Sequence, residues 1–139
     1  MITMGIDANW DKTDSATHVR AGRHKFLIDD DNGGKGPNAM QFMLSGMAGC
    51  LIGVGLMVAG EMGLDIGKIA CRVEGDIDPA GYTGKDASVR PGCQEIRMTM
   101  EVKSPEPAEK IRDWLAVTEK RCPVRDCVAN ATPVKVVLK

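Results

Sequence analysis

Between Met40 and Gly60 the chain runs for 21 residues without a charged side chain. A stretch of this length can cross a bilayer as a helix or form the buried helix of a folded domain. It contains Gly49 and Gly53 four residues apart, a spacing that lets helices pack closely in membranes. Against a membrane span, its hydrophobicity is diluted by five glycines, Gln41 and Ser45, and both flanks are amphipathic. The reading that fits both facts is a core helix, and no membrane association is expected.

The helix is expected from about Ala39 to Met62, with Gly63 as its stop. Each interior glycine costs up to ~1 kcal/mol relative to alanine. Gly46, Gly49, Gly53 and Gly55 are therefore a penalty that close approach of another backbone would offset. Gly46, Cys50, Gly53 and Met57 lie near one stripe, at spacings of three and four. Cys50 is thus expected to face a tightly packed surface or a narrow pocket. So apolar a helix needs a second chain to cover it, and a homodimer is expected.

Around this helix the pattern is mixed. Met1 to Asp30 reads as short strands and turns, with His24 to Asp29 the clearest strand. Asp29 to Asn38 is a turn-rich loop centred on Gly33 to Pro37. Lys68 to Ile77 is a strand in which Ile69, Cys71 and Val73 alternate. Asp78 to Gly92 is a long connection carrying Tyr82 and Arg90. Glu95 to Lys103 alternates with Ile96, Met98, Met100 and Val102 inward, the pattern of an antiparallel strand with one solvated face. Ser104 is the expected N-cap of a second helix. Ala108, Ile111, Leu115 and Thr118 form its inward stripe, with Trp114 beside it. Thr132 to Lys139 reads as a final strand. The fold class is α+β, in a single domain over residues 1–139.

Composition removes several functions. The net charge is −1, and no basic block or aromatic-basic interleaving occurs, so nucleic-acid binding is not expected. The N-terminus lacks the basic segment and apolar run of a signal peptide. Five cysteines are an odd number, unlike an extracellular disulfide framework. The expected location is cytoplasmic, with most thiols reduced at rest.

Two of these thiols stand out. Cys50 lies inside the apolar helix, one residue after Gly49. Cys122 lies at a Cys-Pro break, where a short new helix starts at Pro123, and a thiolate is stabilised at a helix N-terminus. Thiol redox chemistry is one reading of the pair; a buried small apolar residue and a loop thiol are the other. Cys71 is expected in the core, Cys93 exposed, and Cys127 packed inward although it could compete as a partner of Cys122. The cysteines include no C-x-x-C pair, so no metal site is expected. His18 and His24 read as solvated strand residues. Tyr82 and Trp114 read as lid and core packing.

The segment Gly33 to Cys50, the break Cys122-Pro123-Val124 and the tail Asn130 to Val134 together resemble the OsmC/Ohr family, the osmotically inducible and organic hydroperoxide resistance proteins. The resemblance implies an OsmC/Ohr-like fold: an antiparallel sheet with a long buried central helix, in an intertwined homodimer. It also implies thiol-dependent reduction of organic hydroperoxides, with Cys50 attacking and Cys122 resolving. An external dithiol of lipoyl type would reopen the pair, without metal or flavin. Many active members carry a glutamate ten residues before the attacking cysteine; here that position is Met40. The family also uses an N-terminal arginine to hold the thiolate, for which Arg20 and Arg23 are the candidates. Met40, Met43, Met47 and Met57 are the expected lining of an apolar substrate pocket. The alternatives are a small-molecule binding dimer that lost the chemistry, motivated by Met40, and a thiol redox sensor without turnover.

Overall fold

The computed structural model describes residues 1–30 and 34–138. Asp31, Asn32 and Gly33 of the turn-rich loop, and Lys139 of the expected last strand, lie outside the described residues. The chain forms two compact units, Met1–Met43 and Leu44–Lys139.

The first unit is an antiparallel meander of β1 (Asp7–Asn9), β2 (Thr17–Ala21) and β3 (His24–Ile28), in the order β1-β2-β3. Ala16 and Val19 are its buried residues. The Phe26 ring stacks on Phe42, with centroids 4.9 Å apart. Ahead of the long helix, Asn38 and Gln41 cap each other. The Gln41 backbone N–H donates to Asn38 Oδ1 at 2.8 Å, and the Asn38 N–H donates to Gln41 Oε1 at 3.0 Å. This reciprocal pair satisfies two donors that a helix start leaves open.

That helix, α1, spans Ala39–Met62. It ends at Gly63, whose φ of 65° is the left-handed conformation that glycine adopts without penalty. In the second unit β4 (Lys68–Asp76) and β5 (Glu95–Lys103) pair antiparallel along their whole length, from Lys68 opposite Lys103 to Asp76 opposite Glu95. Their connection contains the short α2 (Pro79–Tyr82), started by Asp78, whose side chain accepts from the Ala80 N–H. Helix α3 (Ala108–Arg121) and helix α4 (Pro123–Ala129) follow.

The core of this unit is built on Val58, Ala59 and Trp114, with Ile69, Met100, Val102, Ile111 and Leu115 packed around them. The inner face of β5 is therefore the alternating set read from the sequence. Trp114 is at the centre of the α3 stripe rather than beside it, and it is fully buried. Its indole N–H donates to the Gly55 carbonyl at 2.7 Å. A Cβ on Gly55 would meet the indole Cζ2 at 2.7 Å, so Gly55 is the α1 glycine that close approach requires.

Four expectations are corrected. Helix α1 is not fully buried within one chain. Met47, Leu51, Gly55, Val58 and Ala59 are buried, whereas Gly46, Gly49, Gly53, Leu56, Met57 and Gly60 are exposed. A Cβ on Gly46, Gly49 or Gly53 would meet nothing within 4 Å, so this stripe is open rather than tightly packed. The final strand does not form within the chain. Residues 132–138 make no strand pairing, and Val134, Val136, Val137 and Leu138 are exposed. Ser104 does not cap α3. Its hydroxyl donates to the Asp65 carbonyl at 2.5 Å, and the helix begins three residues beyond Pro105. Glu106 precedes Pro107 and is held out of the helical region by the proline ring.

Candidate functional site

The two thiols read from the sequence meet. Cys50 projects from α1, and Cys122 is the N-cap residue of α4, with Pro123 at the first helical position. Their sulfurs are 3.2 Å apart, with the Cys122 thiol donating to Cys50 Sγ. All five cysteines are free thiols. A disulfide S–S bond is about 2.05 Å, so closing this pair needs roughly 1 Å of approach.

Three interactions fix the geometry. The Cys122 backbone N–H donates to the Glu119 carbonyl, and the Cys122 carbonyl accepts from the Asp126 N–H at 3.0 Å, so both helices hold this residue. Arg121 makes a two-pronged ion pair with Glu61, at 2.5 and 3.0 Å, tying the end of α3 to the end of α1. The third is electrostatic: the backbone N–H of Val124 is near enough to Cys50 to favour its thiolate. Cys122 makes no side-chain capping bond on α4.

The electrostatics oppose easy ionisation. Burial raises the pKa of Cys50 above the ordinary thiol value. The Val124 N–H favours the thiolate and lowers it, but hydrogen bonding with Cys122 raises it again. Cys122 is fully buried, whereas Cys50 is half-buried.

A cavity of about 430 Å³ is lined by sequence neighbours of the pair, although neither Cys50 nor Cys122 is in its wall. Its walls include Met47, one turn before Cys50, and Arg125, the residue after Val124. Of the four expected pocket methionines only Met47 lines it. Met57 is 48% exposed on the open face of α1, and Met40 and Met43 belong to the N-terminal unit. Arg20 lies on β2, in an ion pair with Asp7 at 2.7 Å, and Arg23 lies in the exposed turn between β2 and β3.

Two other cysteines are corrected. Cys93 is buried, not exposed, because Gly75 leaves a slot for it: a Cβ there would lie 2.9 Å from Cys93 Sγ. Cys127 is exposed, not packed inward. His18 is solvated as expected and bonds Asp14 at 2.9 Å. Tyr82 is 61% exposed. Among the described residues, no group of three or more His, Cys, Asp or Glu side chains is placed to hold a metal ion.

The sequence profile of the OsmC-like protein family matches residues 31–137, which include both thiols. The chain belongs to the OsmC-like family. Solved structures share the fold. The OsmC-like protein of Mycoplasma pneumoniae superposes with a TM-score of 0.81 at 22% identity, covering 92% of this chain and 88% of its own. An OsmC-like protein of unknown function from Vibrio cholerae gives 0.75 at 10% identity, covering 91% and 93%. The organic hydroperoxide resistance protein OhrB of Bacillus subtilis gives 0.62 at 23% identity, covering 91% and 90%. No curated protein matches the chain at the sequence level.

Proposed function

We propose that this OsmC-like protein reduces organic hydroperoxides through Cys50 and Cys122. The observation that carries the reading is the 3.2 Å approach of two free thiols from residues 72 positions apart. The Cys50 thiolate attacks the terminal peroxide oxygen, the O–O bond breaks, and the alkoxide leaves and is protonated to the alcohol. Cys50 becomes a sulfenic acid. The Cys122 sulfur then attacks the sulfenic sulfur, water leaves, and a disulfide forms. An external dithiol, lipoyl-type by family resemblance, is oxidised as it reopens the pair. The pathway needs a cation to favour the Cys50 thiolate, a role the resemblance gives to Arg20 or Arg23.

The working form in this proposal is a cytoplasmic homodimer. The open stripe of Gly46, Gly49 and Gly53, beside exposed Leu56 and Met57, is an apolar face with space for a second backbone. The tail at 132–138 carries alternating apolar residues that find no partner within the chain.

A second reading is favoured by one observation. The raised pKa of Cys50, together with Met40 at the position of the family glutamate, fits a redox sensor or ligand-binding protein without turnover. One equivalent of cumene hydroperoxide, followed by peptide mapping and steady-state assay with a dithiol, separates the two. Sustained turnover with a Cys50–Cys122 disulfide supports the peroxidase. One oxidation event without turnover supports the sensor, and no oxidation of Cys50 supports the binding protein.

A further inference from the structure

Helix α3 is attached to α1 at two points before it delivers Cys122. The first is the Trp114 indole N–H on the Gly55 carbonyl, at 2.7 Å. The second is the two-pronged pair of Arg121 with Glu61, at 2.5 and 3.0 Å, made by the residue next to Cys122. Hydrogen bonding to Arg121 holds the Glu61 carboxyl below its ordinary pKa, so the pair is intact at neutral pH. Both side chains are exposed, and as a contribution to overall stability such a pair counts for little. Its weight lies in its position.

Trp114 and Cys122 are eight residues apart, a lever of ~12 Å at 1.5 Å rise per residue. With the indole as its only anchor α3 could pivot at Gly55, and a tilt of about 5° would move Cys122 by ~1 Å. That is the size of the approach that turns the 3.2 Å contact into a disulfide bond of about 2.05 Å. The Arg121 anchor restrains this pivot. On α1, Glu61 lies eleven residues beyond Cys50, ~three turns along and on the same side of the helix. Arg121 is therefore bonded toward the C-terminal end of α1, and Cys122 meets its middle. Two consecutive residues are fixed to positions of α1 whose Cα atoms are ~16 Å apart.

We infer that Arg121 and Glu61 are positioning residues for disulfide closure: their ion pair holds Cys122 opposite Cys50 in the reduced protein and raises the effective concentration of one thiol at the other. An ion pair that orders the dithiol beforehand lowers the ordering cost of closure, and by linkage the closed disulfide strengthens the ion pair in turn. The inference deepens the peroxide-reduction reading, whose second step is this closure, but closure can be measured without peroxide.

The test equilibrates the full-length protein with glutathione and glutathione disulfide. The two thiols give two electrons and two protons to one glutathione disulfide, which becomes two glutathione thiols as the Cys50–Cys122 bond forms. Acid quenching, alkylation and peptide mapping of that disulfide give the equilibrium constant. Glu61→Gln and Arg121→Met are each expected to lower it about three- to fivefold, and the double variant no further than either single one. An ion pair that only stabilised the fold would support the reduced and oxidised forms alike. Lowered urea midpoints with an unchanged constant therefore overturn the inference. Additive effects in the double variant overturn it, and so does a wild-type protein in which the Cys50–Cys122 disulfide does not form. The two readings fail separately: a lowered constant without peroxide turnover removes the peroxidase and keeps the positioning pair, and turnover with unchanged constants does the reverse.

Discussion

The indole N–H of Trp114 donates to the carbonyl of Gly55 at 2.7 Å, and the same ring occupies the space that a side chain at position 55 would need. Helix propensity favours alanine over glycine by up to ~1 kcal/mol. Overpacking a rigid aromatic ring costs about 1–3 kcal/mol. Gly55→Ala is therefore expected to destabilise the protein by about 1–2 kcal/mol, read as a lower urea midpoint. A stabilised variant would show that the ring is free to move away.

Gly53 tests the opposite face. A Cβ there meets nothing within 4 Å, so inside one chain alanine brings only its gain in helix propensity. If a second copy packs on this face, the same methyl group separates the two backbones. Gly53→Ala is expected to shift a dimer toward monomer in sedimentation velocity. An unchanged dimer would place the interface elsewhere.

The thiols are expected to behave asymmetrically. Cys50→Ser should abolish peroxide consumption. Cys122→Ser should still form one equivalent of alcohol, but leave Cys50 as a sulfenic acid that further peroxide carries to the sulfinic acid. Intact-mass spectrometry distinguishes these products, and full turnover by Cys50→Ser would end the assignment.

The pH dependence follows from burial. The pKa values of Cys50 and Cys71 are raised, by desolvation first in each case. The folded protein then holds protons that the unfolded chain releases. Their contribution to stability is fully present below the unfolded thiol value of ~8.5 and is lost as pH rises through the raised folded values. Urea midpoints are expected to fall between about pH 8 and 10, less steeply in Cys71→Ser. Alkylation of Cys50 should likewise have its midpoint above that of a free thiol, and a midpoint below about 7 would mean that a cation reaches the sulfur.

Much of the frame was legible in local pattern. The uncharged run and Gly63 bound α1, strict alternation bounds β5, and Pro123 marks the start of α4. These features depend on residues a few positions apart. The misreadings at Cys93 and Cys127 have another cause. Cys93 is buried because Gly75, on a different strand, leaves room for its sulfur, and nothing near Cys93 in sequence records that. The Gly55–Trp114 approach joins residues 59 apart and was equally hidden. The alternation of the tail is a real signal, but a strand needs a neighbour, which one chain does not supply. At the site, the Cys-Pro break gave away Cys122, whereas its 3.2 Å approach to Cys50 depends on how α1 and the start of α4 pack.

If the protein runs the proposed peroxidase cycle, the seclusion of Cys122 sets the direction of its reductive step. Its sulfur is fully buried, and the Cys50 sulfur is not. Thiol–disulfide exchange requires the incoming thiolate to line up with the bond it breaks. Once the pair is oxidised, an incoming dithiol can reach only one end of that bond. Under the proposed peroxidase cycle, Cys50 would be the point of attachment and Cys122 the leaving group, and the reductant would be joined transiently to the helix that met the peroxide.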